Sequence, residues 1–183
     1  RGVMVAGASC LLVLSIGLTI SFIEQRSGGN DAEMLLTASV DWFKPLNIKY
    51  AVGVDGISVV MLLLSSIIVF TGTFASWQLK PLTKEYFLWF TLLSTGVFGF
   101  FICTDMFTMF MFYEVALIPM YLLIGVWGSG AKEYAAMKLT LMLMGGSALL
   151  IIGLLGIYYY SGATTMNVNE IAALHNIPAD MQK

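Results

Sequence analysis

Glu114 is the residue whose position in this sequence calls for chemistry. The stretch 106–131 contains no other Asp, Glu, Lys or Arg, and its apolar content marks it as a helix. Glu114 stands nine residues after Asp105 and thirteen before Trp127, so at about 1.5 Å per residue it is roughly 13 Å from one helix end and 20 Å from the other. If the helix crosses a bilayer, that is close to the membrane centre. A carboxylate there costs about 2.5–3.5 kcal/mol on insertion scales, and intramembrane acids mark ion or proton paths. The bland alternative is a protonated Glu that hydrogen-bonds a neighbouring helix as glue.

Three neighbours sharpen the case for proton transfer. Pro119 lies in the helix interior and has no N–H, so the Val115 carbonyl four residues earlier loses its helical partner. A freed carbonyl beside a carboxyl group is a place for water. Tyr113 and Tyr121 add hydroxyls on the same helix. Taken singly, the proline is a kink and the tyrosines are packing; with Glu114 they make a polar defect in an apolar helix. Lys138 is a second candidate. It sits six residues after Lys132, where a lysine reaches the interface by snorkelling. It is either an interfacial anchor or a cation that tunes Glu114 and marks the inner end of a proton path.

Other chemistry finds no constellation. No Gly-rich phosphate loop, paired-His site or nucleophile–base pair is visible, and His175 is isolated in a polar tail. Cys10 and Cys103 lie in apolar stretches without a Cys or His at ligand spacing, so they are expected to be lipid-buried thiols. Neither a disulfide nor a metal is supported. A net charge of −2 without a basic patch argues against a nucleic-acid partner.

The elements that carry Glu114 follow from the distribution of charge. Of 183 residues, 58% are hydrophobic and 11% are charged, less than half the charge of an average soluble domain. Residues 2–23, 56–79, 86–104 and 139–169 are free of charge, and 106–131 carry Glu114 alone. Each interval approaches or exceeds the roughly 20 apolar residues of a membrane-spanning helix. The sequence therefore predicts an all-α, polytopic transmembrane helix bundle with helices at about 3–23, 57–77, 86–103, 106–127 and 132–160. The first apolar run ends at Glu24-Gln25-Arg26 without a small-x-small cleavage site, so it is expected to be a true span and not a signal peptide. The chain begins at Arg1, and it is expected to be a piece of something longer.

Between the first two spans, 24–54 reads as an extramembrane loop. Weak alternation in 40–44 and 47–52 around Pro45 suggests a β-hairpin lying on the membrane surface. Asp55 is a natural N-cap for the second helix. Asn167-Val168-Asn169-Glu170 places a capping residue three positions before a Glu, which predicts a short surface helix at 168–175 within the tail 161–183. Lys80, Lys84 and Lys132 lie in short connections, whereas Arg26, Lys44, Lys49 and Lys183 lie in longer, acid-rich segments. The positive-inside rule weighs short-loop Lys and Arg, so the first group is expected on the cytoplasmic side and 24–54 outside.

Phe112-Tyr113-Glu114-Val115-Ala116-Leu117-Ile118-Pro119-Met120-Tyr121-Leu122-Leu123-Ile124-Gly125-Val126-Trp127-Gly128 closely resembles the antiporter-like membrane subunits of respiratory complex I. Among these it resembles the M type of NADH-quinone oxidoreductase, called subunit 4 in mitochondria. Val54-Asp55-Gly56-Ile57-Ser58 and Ala135-Ala136-Met137-Lys138 extend the likeness. The resemblance implies a fold of about fourteen helices, of which this chain is similar to the second to the sixth. It implies that Glu114 is the protonatable glutamate of the family's fifth helix. That residue works with lysines on the seventh and eighth helices and a charged residue on the twelfth, all beyond this chain. The implied function is proton translocation driven by quinone reduction in other subunits, with no cofactor or metal on this chain. Other membrane subunits, lipid and protons would be its partners. The implied location is a bacterial plasma membrane, with mitochondrial inner membrane or plastid as alternatives. Related chains occur in multisubunit cation/proton antiporters and membrane-bound hydrogenases, and a purely structural membrane subunit is the third reading.

Overall fold

The computed structural model describes residues 2–29, 32, 34–43, 48–80, 82–160, 162 and 166–173. Five helices are long and apolar enough to cross a membrane: α1 (Gly2–Ser27), α2 (Gly56–Ala75), α3 (Thr83–Ile102), α4 (Met106–Trp127) and α5 (Lys132–Tyr160). A hairpin of β1 (Leu35–Phe43) and β2 (Ile48–Val54) separates α1 from α2, and the short α6 (Val168–Ala173) follows α5. This is an integral, multi-pass membrane bundle. The hairpin is its only strand pair among the described residues.

Successive helices pack as neighbours: α1 on α2, α2 on α3, α3 on α4 and α4 on α5. Large side chains such as Leu14, Ile68, Leu88, Met142 and Leu149 point outward, as lipid-facing residues must where the solvent is itself apolar. α1 runs beyond the expected residue 23 because Glu24-Gln25-Arg26 are good helix formers. Arg26 suits the negative end of the helix dipole and lies 5.5 Å from the Phe22 ring centroid. α3 begins three residues earlier than expected and ends at Ile102. The bounds of α4 and α5 coincide with the expected ones. The short tail helix is described to residue 173, and His175 lies outside the described residues.

The hairpin is longer than the weak alternation suggested. Its antiparallel register pairs Leu35 with Val54, Val40 with Tyr50 and Asp41 with Lys49. Residues 44–47, with Lys44 and Pro45, lie outside the described residues. β1 is exposed along all but its first residue, so no alternation of buried and exposed side chains was there to read. The base of the hairpin is what is anchored. Leu35 and Val54 join Phe22, Val59 and Leu62 in a buried cluster under the ends of α1 and α2. Asp55 caps α2 as expected, accepting from Ser58 N at 2.7 Å.

β2 also holds the α3–α4 turn. Val52 and Cys103 form an antiparallel bridge, and Thr104 N donates to Ala51 O at 2.9 Å. On the other side of the turn Asp105 bridges Asn167: Met106 N donates to Met166 O at 2.9 Å, and Val168 N to Thr104 O at 3.1 Å. The start of α4 is thus pinned between the hairpin and the segment after α5. At the opposite end, Tyr86 meets Trp127 edge-on at 5.4 Å, and Lys132 Nζ caps the Val126 carbonyl at 2.7 Å.

Candidate functional site

The position of α4 is set by its first turn and by α3. Asp105 is its N-cap; Oδ1 accepts from Phe107 N and Thr108 N, each at 3.1 Å, and from Thr108 Oγ1 at 3.3 Å. The Thr108 hydroxyl also reaches Lys49 O at 3.4 Å. Asp105 is 1% exposed, and its Oδ2 has no partner among the described residues. Beside it, burial and then the Asp105 charge push the Cys103 thiol up to about 11. Burial, followed by the Cys103 thiolate charge, likewise raises the Tyr50 hydroxyl above its ordinary value. Cys10, by contrast, is exposed on α1.

Further along, α3 presses directly on α4. A Cβ at Gly96 would stand 2.9 Å from the Ala116 Cβ, and one at Gly99 would run into the Phe112 ring. Both glycines are there because the two backbones approach where only hydrogen fits. Phe112 and Ala116 flank Glu114 in sequence, so this contact fixes the rotation of the glutamate's helix.

Glu114 is half-buried, and its Oε1 is sealed from solvent with no hydrogen-bond partner among the described residues. Leaving such a group unmet costs on the order of 1–3 kcal/mol, more if it is charged. Pro119 is almost fully buried one turn further along the same helix, so the Val115 carbonyl lacks its α-helical donor beside the carboxyl. An apolar cleft of about 510 Å³, lined by Trp42, Tyr50, Thr108, Met111 and Val115, runs from the hairpin along α4 as far as Val115, the residue next to Glu114.

The tyrosines do not converge on the carboxylate. Tyr113 points toward α3, 6.5 Å from the Phe100 ring centroid. There it lines a cavity of about 300 Å³ with Gly96, Leu117, Leu139 and Leu143. Tyr121 is two turns from Glu114 on the same face and is exposed. Lys138 is exposed, with Nζ 5.8 Å from the centroid of the Tyr134 ring on its own helix. It lies just two residues beyond Ala136, which faces Gly125, eleven residues along α4 from Glu114. At about 1.5 Å per residue, the lysine is therefore well removed from the carboxylate. Within this chain the structure brings Glu114 together with Pro119 and the freed carbonyl, but not with Lys138. Asp105 is a residue that the sequence reading passed over as a cap. An Asp directly before an apolar run is the signal that identified the Asp55 cap, and it applies equally here.

The residues 103–182 match the family described as NADH:quinone oxidoreductase/Mrp antiporter, TM. The NAD(P)H-quinone oxidoreductase chain 4 2 of Thermosynechococcus vestitus is 27% identical over 175 residues, covering 96% of this chain and 33% of that relative. The NADH-quinone oxidoreductase subunit M of Rickettsia typhi is 31% identical over 173 residues, covering 93% and 34%. The chain is similar to the antiporter-like, subunit M type. It spans about a third of the length of the curated relatives it matches. A chain of the respiratory complex I from Thermus thermophilus shares the fold with a TM-score of 0.79 at 21% identity, over 93% of this chain and 34% of that one. A chain of the Mrp complex from Dietzia sp. does so with a TM-score of 0.69 at 18% identity, over 90% and 17%. At these identities the likeness is one of fold. Both matches take in the five spans in the same order.

Proposed function

We propose that this chain is the proton-translocating part of an M-type subunit of NADH-quinone oxidoreductase, and that Glu114 carries the proton. The observation that supports this most is the sealed Oε1 of a mid-span carboxyl, without a partner among the described residues, beside a carbonyl freed by Pro119. A group so placed is costly as a structural element. As a proton site it is apt: the carboxylate takes up a proton and becomes neutral in the dry span, then returns it to a base on the following part of the subunit. Quinone reduction in other subunits supplies the free energy, and no redox centre is needed on this chain.

The partners in this reading are the other membrane subunits of the complex and the surrounding lipid. The location is a bacterial plasma membrane, with Lys80, Lys84 and Lys132 on the cytoplasmic side and the hairpin outside. The family description, which joins quinone oxidoreductases and Mrp antiporters, favours a second reading: a subunit of a cation/proton antiporter driven by an ion gradient. Co-purification with quinone-reductase subunits distinguishes it from the first. The test of Glu114 is its replacement by Gln in the full-length subunit within the assembled complex. Proton pumping is expected to collapse while assembly persists, and Glu114→Asp is expected to be milder. Full pumping by an assembled Glu114→Gln complex would refute the reading. Lost assembly with intact coupling in the residual complex would make Glu114 structural.

A further inference from the structure

The residues of α5 indicate what meets the unpartnered Oε1 of Glu114. That helix has 29 residues, yet Ala136 and Ser147 are its only buried ones. A serine turned inward, 7% exposed, on a helix where larger side chains such as Met142, Leu149 and Leu155 face outward is the reverse of what apolar burial alone would give. Ala136 and Ser147 lie eleven residues apart, close to three full turns, so they share one face of α5. Gly125 and Glu114 are also eleven residues apart and share one face of α4. These faces meet at the α4–α5 end of the pair, where a Cβ on Gly125 would stand 3.7 Å from the Ala136 Cβ.

The two helices run in opposite directions. Three turns back along α4 from Gly125 reach Glu114, and three turns forward along α5 from Ala136 reach Ser147. Leu143 and Leu139 of α5 supply the steps between, sharing a cavity with Leu117 and Met120 of α4. The register therefore sets a buried hydroxyl at the depth and on the facing side of the unpartnered carboxyl oxygen. In the present state Ser147 Oγ donates to Met144 O at 3.0 Å.

We propose that Ser147 is a positioning residue for Glu114. When the carboxyl is protonated, its O–H donates to Ser147 Oγ, and the serine hydroxyl continues to donate to the Met144 carbonyl. When the proton leaves, the serine hydroxyl rotates about Cβ–Oγ and donates to the carboxylate. No covalent bond forms or breaks at the serine; it gives Glu114 a partner in both states and so orients it for transfer. The proposal rests on Glu114 being the proton-transfer residue.

The test uses the full-length subunit in the assembled complex in proteoliposomes. Ser147→Ala is expected to lower proton pumping by about tenfold, the scale of a hydrogen bond to a charged group, and Ser147→Thr to retain most of it. The infrared carboxyl stretch assigned to Glu114 by its loss in Glu114→Gln is expected to shift in Ser147→Ala. Should the alanine variant not assemble, Ser147→Cys, near in volume but a weak donor, is expected to give the same shift. If Glu114→Gln removes a carboxyl band and pumping, but neither Ser147→Ala nor Ser147→Cys alters them, the serine proposal falls alone. If Glu114→Gln changes neither, the reading of Glu114 falls and the serine proposal with it.

Discussion

Gly96→Ala should destabilise the protein although alanine is the better helix former. The new methyl would stand 2.9 Å from the Ala116 Cβ and 3.1 Å from both the Cα and N of Ala116. Two of those three atoms are backbone, so no side chain can swing aside. Ordinary contact begins near 3.4 Å, so α3 and α4 must separate by at least about 0.5 Å. Overpacking of this kind costs about 1–3 kcal/mol, against a gain of about 0.5–1 kcal/mol from replacing a helical glycine. The net expectation is a loss of about 0–2.5 kcal/mol, centred near 1 kcal/mol. Gly145→Ala is the control, since a Cβ there meets nothing within 4 Å, and it should be neutral or stabilising in the chain as described. Thermal unfolding of the purified protein in detergent reads the difference. Because Ala116 is two residues from Glu114, Gly96→Ala should also reduce proton pumping in the assembled complex. A Gly96→Ala protein as stable as Gly145→Ala would refute the claim that close backbone approach fixes α4.

Two further outcomes follow from groups outside the spans. Burial pushes the Asp55 carboxyl up, but hydrogen bonds from the Ser58 side chain and from the backbone amides of Ser58, Asp55 and Ile57 outweigh it and hold it below the ordinary carboxylate value. Its contribution is then fully present above the unfolded-state value and lost as pH falls through the lower folded value. Protection of the Ser58 amide from hydrogen exchange should decline over that acid range and be less pH-dependent in Asp55→Asn, where the cap is kept without the charge; equal profiles would contradict this. Cys103, its thiol pushed up to about 11 and 8% exposed, should resist maleimide at neutral pH and label once the protein unfolds. Rapid native labelling of Cys103 in a Cys10→Ser background would refute the buried turn.

The five spans were legible because charge is excluded from them and little else sets their limits. Glu114 stood out for the same reason: one carboxylate in an uncharged run is visible without a partner. The site's geometry was not legible, because it depends on which residues face each other. Gly96 and Gly99 looked like any small residues until Ala116 and Phe112 were found against them. Ser147 sat in a Gly-Gly-Ser run that reads as packing, and only the Gly125–Ala136 contact sets its depth. Lys138 drew attention as a charge two turns into a helix, yet its ammonium lies over Tyr134 of its own helix, as a snorkelling anchor would. The hairpin was faint because β1 hides almost none of its side chains; its pairing comes from the backbone and from the anchored base around Leu35 and Val54.

The most direct test of the central claim is the protonation of Glu114 itself, followed by infrared difference spectroscopy of the assembled complex as quinone reduction is started and stopped. A carboxyl band that changes with turnover, moves in heavy water and is absent in Glu114→Gln is the expected result. A spectrum identical in the wild-type and Glu114→Gln complexes, with pumping intact, would show that the carboxyl at the centre of α4 carries no proton.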